Sequence, residues 1–326
     1  MTDSISNPVR VFFLGAGNLG TAILDALCAD PRVLLVGLGS QADQESGRKK
    51  LLTPTAFAKH AESKGLAVER IEKGKVNAPE FLSHLRELKV ELLLVVAFGQ
   101  LLKAELLELP EFGCLNVHAS LLPKYRGACP INAAILNGDA VTGVSFMRMD
   151  VGLDTGPVYQ SVKTAIGASE TTGQLEARLS ILAAKHAGDV IWRIAREGLV
   201  ATRQEPTTQP NVRKIKKTDA ILRWTQSAQY LANMVRAYQP WPKAFTFLPV
   251  RGTKMRVQIV EATAEPSPAG LGERYPGRVL PSQTELRVVC GSGILRIQRL
   301  IPEGRKELST TDFLRGYPID SKQPLE

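Results

Sequence analysis

A chain of 326 residues has room for two domains, and 44% apolar with 22% charged residues excludes the disordered and membrane-spanning classes. Its longest apolar run, Leu92 to Phe98, is far too short to cross a bilayer; the opening Met1-Thr2-Asp3-Ser4-Ile5-Ser6-Asn7-Pro8 has no basic n-region or apolar h-region, so a cytoplasmic protein is expected. The formal net charge of +9 lies wholly in the last two fifths: residues 201–326 hold 20 Lys+Arg against 11 Asp+Glu, and residues 1–200 hold 21 of each.

Such asymmetry fits a polyanion-binding appendage on a neutral body, with a solvated basic surface as the plainer alternative. The four cysteines, Cys28, Cys114, Cys129 and Cys290, form no CxxC pair and no Cys/His metal spacing. No metal site is expected, and the thiols read as buried and free.

The first two hundred residues alternate strand and helix signals, the pattern of an α/β domain with a Rossmann-like parallel sheet. Val11 to Leu14 predicts a strand, then Gly15-Ala16-Gly17-Asn18-Leu19-Gly20 opens a helix through about Cys28. Val33 to Val36 predicts a second strand, Gly39 to Thr53 a charged loop, and Pro54 the start of a helix. A short strand follows at Leu66 to Val68, a helix at Pro79 to Leu88, and the most apolar and central strand at Val90 to Phe98. Next come a strand ending at His118, a helix over Pro130 to Leu136, a strand at Val144 to Met147, and a long amphipathic helix from Glu170 to Arg196.

The Gly15 to Gly20 turn fits GxGxxG, the dinucleotide fingerprint. Its ribose-binding acid is missing, because the second strand ends Val36-Gly37-Leu38-Gly39-Ser40. That weakens a nicotinamide reading and leaves a turn whose glycines let a substrate approach the backbone.

Three segments follow from composition: a body over residues 1–200, a basic linker over 201–222 and a second domain over 223–326. The linker is a Thr/Gln/Pro-rich run that ends in Arg213-Lys214-Ile215-Lys216-Lys217. Beyond it Ser227 to Tyr238 predicts a helix stopped by Pro240-Trp241-Pro242. Short strands follow at 244–248, 255–260, 277–280, 285–290 and 294–300, with a last helix at 309–315. Five short strands with polar turns suggest a small β-barrel.

The chemistry concentrates between Gly113 and Tyr159. Asn116 and His118 stand two apart in one strand, so period-two alternation aims both side chains to one face at its carboxyl end. Ligands of open α/β sheets bind at that end. Asp154, in the loop Gly152-Leu153-Asp154-Thr155-Gly156, can return a carboxylate to the same edge. An amide, an imidazole and a carboxylate can stabilise an oxyanion and move a proton. The other histidines, His60, His84 and His186, read as structural.

Asn116-x-His118, then Ser120-Leu121-Leu122-Pro123-Lys124-Tyr125-Arg126-Gly127, then Asp150-Val151-Gly152-Leu153-Asp154 resemble the 10-formyltetrahydrofolate-dependent formyltransferases in order and spacing, and most closely their tRNA-dependent branch. The likeness continues through Arg236-Ala237-Tyr238-Gln239-Pro240-Trp241-Pro242, which is similar to the opening of that branch's OB-like C-terminal barrel. It therefore implies a Rossmann-like formyltransferase domain followed by a small OB-like barrel that binds tRNA. It also implies transfer of formyl from 10-formyltetrahydrofolate, as cosubstrate, to the amino group of initiator methionyl-tRNA, with no metal and with a monomer as the default.

By the same resemblance Asn116 donates to the oxyanion, His118 shuttles the proton and Asp154 supports His118. The folate would lie along Phe98, Gly99, Gln100, Leu101 and Leu102, with Ser120, Leu121, Leu122 and Pro123 walling the site. Asp150 and Arg126 would give salt-bridge support. Arg48, Lys49 and Lys50, in an insertion that enters the acceptor arm in the tRNA-dependent branch, and Lys214, Lys216 and Lys217 would contact phosphate. The Gly15 to Gly20 turn would border the aminoacyl pocket, with Leu19 where an aromatic residue is common. The competing readings are an amino-sugar-nucleotide formyltransferase, a formyltetrahydrofolate hydrolase, a non-catalytic RNA-binding protein and a nicotinamide-dependent dehydrogenase. The basic second domain opposes the first two, the intact Asn116–His118–Asp154 set the third, and the absent acid the last.

Overall fold

The computed structural model describes residues 7–46, 51–267, 275–319 and 324–325. The chain divides into two compact units. One comprises 1–130, 141–165 and 176–212; the other comprises 131–140, 166–175 and 213–326.

In the first unit the elements run β1 (Val9–Gly15), α1 (Asn18–Ala29), β2 (Val33–Gln41), β3 (Gln44–Ser46), β4 (Leu51–Thr53), α2 (Ala56–Ser63), β5 (Glu69–Ile71), α3 (Pro79–Glu87), β6 (Leu92–Val96), α4 (Ala104–Leu107) and β7 (Cys114–His118). Then come β8 (Val141–Arg148), β9 (Val158–Ala165) and α6 (Thr172–Arg196), while α5 (Pro130–Leu136) after its first residue, and α6 up to Leu175, fall in the other unit. The sheet order is β5-β2-β1-β6-β7-β8-β9. The first five of these strands are parallel, whereas β8 and β9 are antiparallel additions.

Helices cover both faces because β1 alternates. Phe12 meets Phe81 of α3 edge-on, ring centroids 5.6 Å apart, while Phe13 turns the other way to Phe57 of α2 at 4.8 Å. Every residue of β6 is buried, as a central parallel strand requires. Strand β2 runs on to Gln41 through a stretch that reads as a loop, since a Cβ on Gly37 would sit 2.4 Å from the Phe12 ring. The glycine there makes room for a core aromatic and marks no turn. The short strand expected at 66–68 forms at 69–71, and the charged loop after β2 contains the β3–β4 hairpin.

Chain direction reverses its winding between β1 and β6, the switch point where ligands bind in such sheets. Gly15 pairs with Val96 and Val95 with Asn116, so β1, β6 and β7 end on one edge.

The second unit holds α7 (Ala228–Ala237), β10 (Phe245–Val250), β11 (Thr253–Glu265), β12 (Val279–Leu280), β13 (Leu286–Val289), β14 (Ile294–Pro302), β15 (Leu308–Ser309) and α8 (Thr310–Gly316). Ser227 and Ser309 cap α7 and α8 by accepting from the N–H of Tyr230 and Asp312. The antiparallel sheet runs β10-β11-β14-β13-β12 with β15 on β14, the half-barrel of an OB-like domain. No helix of the described residues is long and apolar enough to cross a membrane.

Candidate active site

Strand β7 presents Asn116 and His118 from one face, and the loop after β8 brings Asp154 to both. Asn116 Nδ2 lies 3.4 Å from Asp154 Oδ1, and His118 Nδ1 lies 3.6 Å from Oδ2. The imidazole is only 7% exposed and the carboxylate 14%. On its other edge His118 Nε2 faces the Tyr125 carbonyl at 2.9 Å. A carbonyl only accepts, so Nε2 carries a proton, and the edge turned to Asp154 is Nδ1.

Asp154 is held harder than its partners. Gly127 N–H donates to Oδ2 at 2.8 Å, and the residue itself sits at φ +54°, a left-handed conformation that aspartate tolerates better than most side chains. Asp150 fixes the turn before it, accepting from Gly152 N–H at 3.0 Å and from the Thr155 hydroxyl at 2.7 Å. Asp150 thus acts through hydrogen bonds rather than the expected ion pair, and Arg126 turns instead to the Gln204 amide.

The formyl transferase model matches residues 9–191, and the formyl transferase C-terminal domain model matches 214–318. This chain belongs to the formyl transferase family.

A methionyl-tRNA formyltransferase from Citrifermentans bemidjiense is 39% identical over 95% of this chain and 94% of its own. One from Xylella fastidiosa is 39% identical over 94% and 97%. Among solved structures, an N-formyltransferase from Helicobacter canadensis in complex with folinic acid and dTDP-3-aminofucose superposes with a TM-score of 0.63. It covers 89% of this chain and 99% of its own at 15% identity, a likeness of fold.

In this formyl transferase the segment after β6 is pinned through its backbone. Gln41 donates to the Phe98 carbonyl, Asn77 donates to the Leu101 carbonyl at 2.9 Å, and the Gln100 amide bridges Gly74 N–H and the Ile71 carbonyl. Phe98 and Leu102 are buried, while Leu101 is 74% exposed. Of the five expected folate residues, then, two point into the core, and Gln100 spends its amide on the fold.

Ser120 is fully buried and donates to the Lys124 carbonyl; Leu121, Leu122 and Pro123 are half-buried. Ser145 of β8 locks this wall, donating to the Ser120 carbonyl at 2.7 Å and accepting from Leu122 N–H at 3.1 Å. Tyr125, Gly127, Ser145 and Gln204 therefore join the site, though residue type alone gives no signal for them.

Arg48, Lys49 and Lys50 lie outside the described residues. Lys214, Lys216 and Lys217 are exposed. Their neighbour Arg213 forks onto Asp219 at 2.8 and 2.9 Å, which pulls that carboxyl down to about 2. Among the cysteines, Cys114 and Cys290 are buried, and burial pushes their thiols up to about 12 and about 11. Cys28 departs from expectation: it is exposed, because it falls on the solvent side of α1.

Proposed function

We propose that this formyl transferase moves the formyl group of 10-formyltetrahydrofolate onto the amino group of initiator methionyl-tRNA, acting as a monomer in the cytoplasm where translation begins. One observation carries the reading: an assembled Asn116–His118–Asp154 cluster in a chain whose relatives along 95% of its length are methionyl-tRNA formyltransferases.

The neutral amine attacks the formyl carbon, its oxygen becomes an oxyanion, and the bond to N10 breaks as N10 gains a proton. Asn116 has two amide hydrogens. One is directed to Asp154, and the other donates to the oxyanion, a contact whose loss costs about 10²–10³ in rate. The Tyr125 carbonyl takes His118 Nε2–H, so the proton that moves is the one on Nδ1. It passes to N10, and the proton shed by the attacking amine replaces it, leaving no net change. Asp154 offsets the positive imidazolium and keeps the ring facing the substrate. No serine or cysteine nucleophile is needed.

Exposed Lys214, Lys216 and Lys217, with Arg48, Lys49 and Lys50, supply phosphate contacts in this reading, and the charge asymmetry supports it. The test offers charged initiator methionyl-tRNA, free methionine, an amino-sugar nucleotide and water as competing acceptors. Transfer to the tRNA alone, weakening as salt rises, is expected. Turnover of the folate with the sugar nucleotide or water and none with tRNA would contradict it.

A further inference from the structure

The stretch that composition marks as a connector is stitched onto the site. Thr202 exchanges two 2.8 Å backbone hydrogen bonds with Val158. Ten residues on, Val212 donates to the Arg126 carbonyl at 2.7 Å and accepts from Ala128 N–H at 2.8 Å. Between these anchors Gln204 turns inward. Its Nε2 donates to the Asp154 carbonyl at 2.8 Å and the Gly156 carbonyl at 2.7 Å. Its Oε1 accepts from Arg126 Nε at 3.1 Å and Nη2 at 2.7 Å.

A primary amide has two hydrogens and one carbonyl oxygen with two lone pairs. Gln204 spends all of them, tying the loop that carries Asp154 to the loop that carries Tyr125 and Gly127. Those are the loops that fix His118 from either side. Asp154 needs such a hold: its φ of +54° is a sparsely populated conformation that persists only where surroundings over-determine it. Gly127 N–H fixes the carboxylate and Gln204 fixes the carbonyl of the same residue.

We propose that Gln204 is a positioning residue for the reaction, setting the Asp154–His118 separation from within the connector. The inference rests on the catalytic reading of that pair. Arg126 orients the amide, so that its nitrogen and not its oxygen meets the two carbonyls.

The experiment compares Gln204→Glu and Gln204→Met with wild type and with His118→Ala in the full-length chain. Glutamate keeps the length and the Arg126 contact, and methionine keeps the volume. Neither can donate to the Asp154 and Gly156 carbonyls. For both, kcat is expected to fall about 10- to 100-fold, the range that a displacement near 1 Å produces. KM for folate and acceptor should stay within about threefold, and the pH profile of kcat should shift with the altered Asp154–His118 geometry. Melting temperatures verify that the variants fold, and a structural role alone would move melting without the pH profile. Wild-type kcat and pH profile in both variants, with His118→Ala inactive, would overturn the inference and leave the site reading intact. Activity in His118→Ala would overturn the site reading and the inference together.

Discussion

Asp154 accepts at each carboxylate oxygen and through its carbonyl, while its backbone sits at φ +54°. The residue therefore depends on partners that are mostly main-chain atoms or amides. Gly127 is one of them, and its identity is forced: at φ +111° a Cβ would meet the Val212 carbonyl oxygen at 2.3 Å.

Glu176 shows the opposite kind of constraint. Burial raises its carboxyl above the ordinary range, against a hydrogen bond from Asn18 of the Gly15–Gly20 turn. A carboxyl raised by folding adds stability below its unfolded value of about 4.3, and that contribution is lost as pH climbs through the folded value. Glu176→Gln stays neutral throughout. It is expected to melt above wild type near about pH 7.5 and to lose that advantage below about pH 4, as thermal unfolding at the two pH values would record. Equal melting at both would contradict the assignment.

Asn116 and His118 were legible because strand alternation has a fixed period, and Asp154 because glycines flank it. The Tyr125 carbonyl and Gly127 N–H were not, since a main-chain group carries no residue signature. Gln204 lies 50 residues from Asp154 in a run whose composition reads as tether.

Among elements, β6 was readable as a buried strand because five consecutive apolar residues admit little else of that length. Strand β9 was not. It is an edge strand with one face half-buried and the other mostly exposed, so Val158 to Ala165 mixes polar and apolar residues without a clean core face. The antiparallel β8 and β9 extend the parallel sheet at one edge, and they matter for the site. Because His118 pairs with Ser145, β8 delivers the Ser145 hydroxyl under the Ser120–Pro123 wall. Ser145→Ala leaves the Ser120 carbonyl and Leu122 N–H without that partner. The expected cost is roughly 1–3 kcal/mol of stability, read by denaturant unfolding, together with a raised KM for the folate. Unchanged stability and KM would show that the wall is held by other contacts.

Across the whole molecule, charge and chemistry are divided along the chain. The Asn116–His118–Asp154 cluster sits in a stretch with balanced charge, and the entire excess of +9 lies beyond residue 200. Family models cover 9–191 and 214–318, and the strap holding Gln204 falls largely in the interval between them. Past the end of α6 at Arg196 that interval has no helix or strand of its own and is hydrogen-bonded at Thr202 and Val212, which explains why it reads as a connector and still reaches the site. Nothing in its composition distinguishes a strap from a tether.

The most direct test of the account is single-turnover formyl transfer to charged initiator methionyl-tRNA by wild type and His118→Ala, with tRNA binding measured alongside. Removing the imidazole is predicted to slow the chemical step by about 10²–10⁴ while tRNA affinity stays as in wild type. Transfer by His118→Ala at the wild-type rate would contradict it.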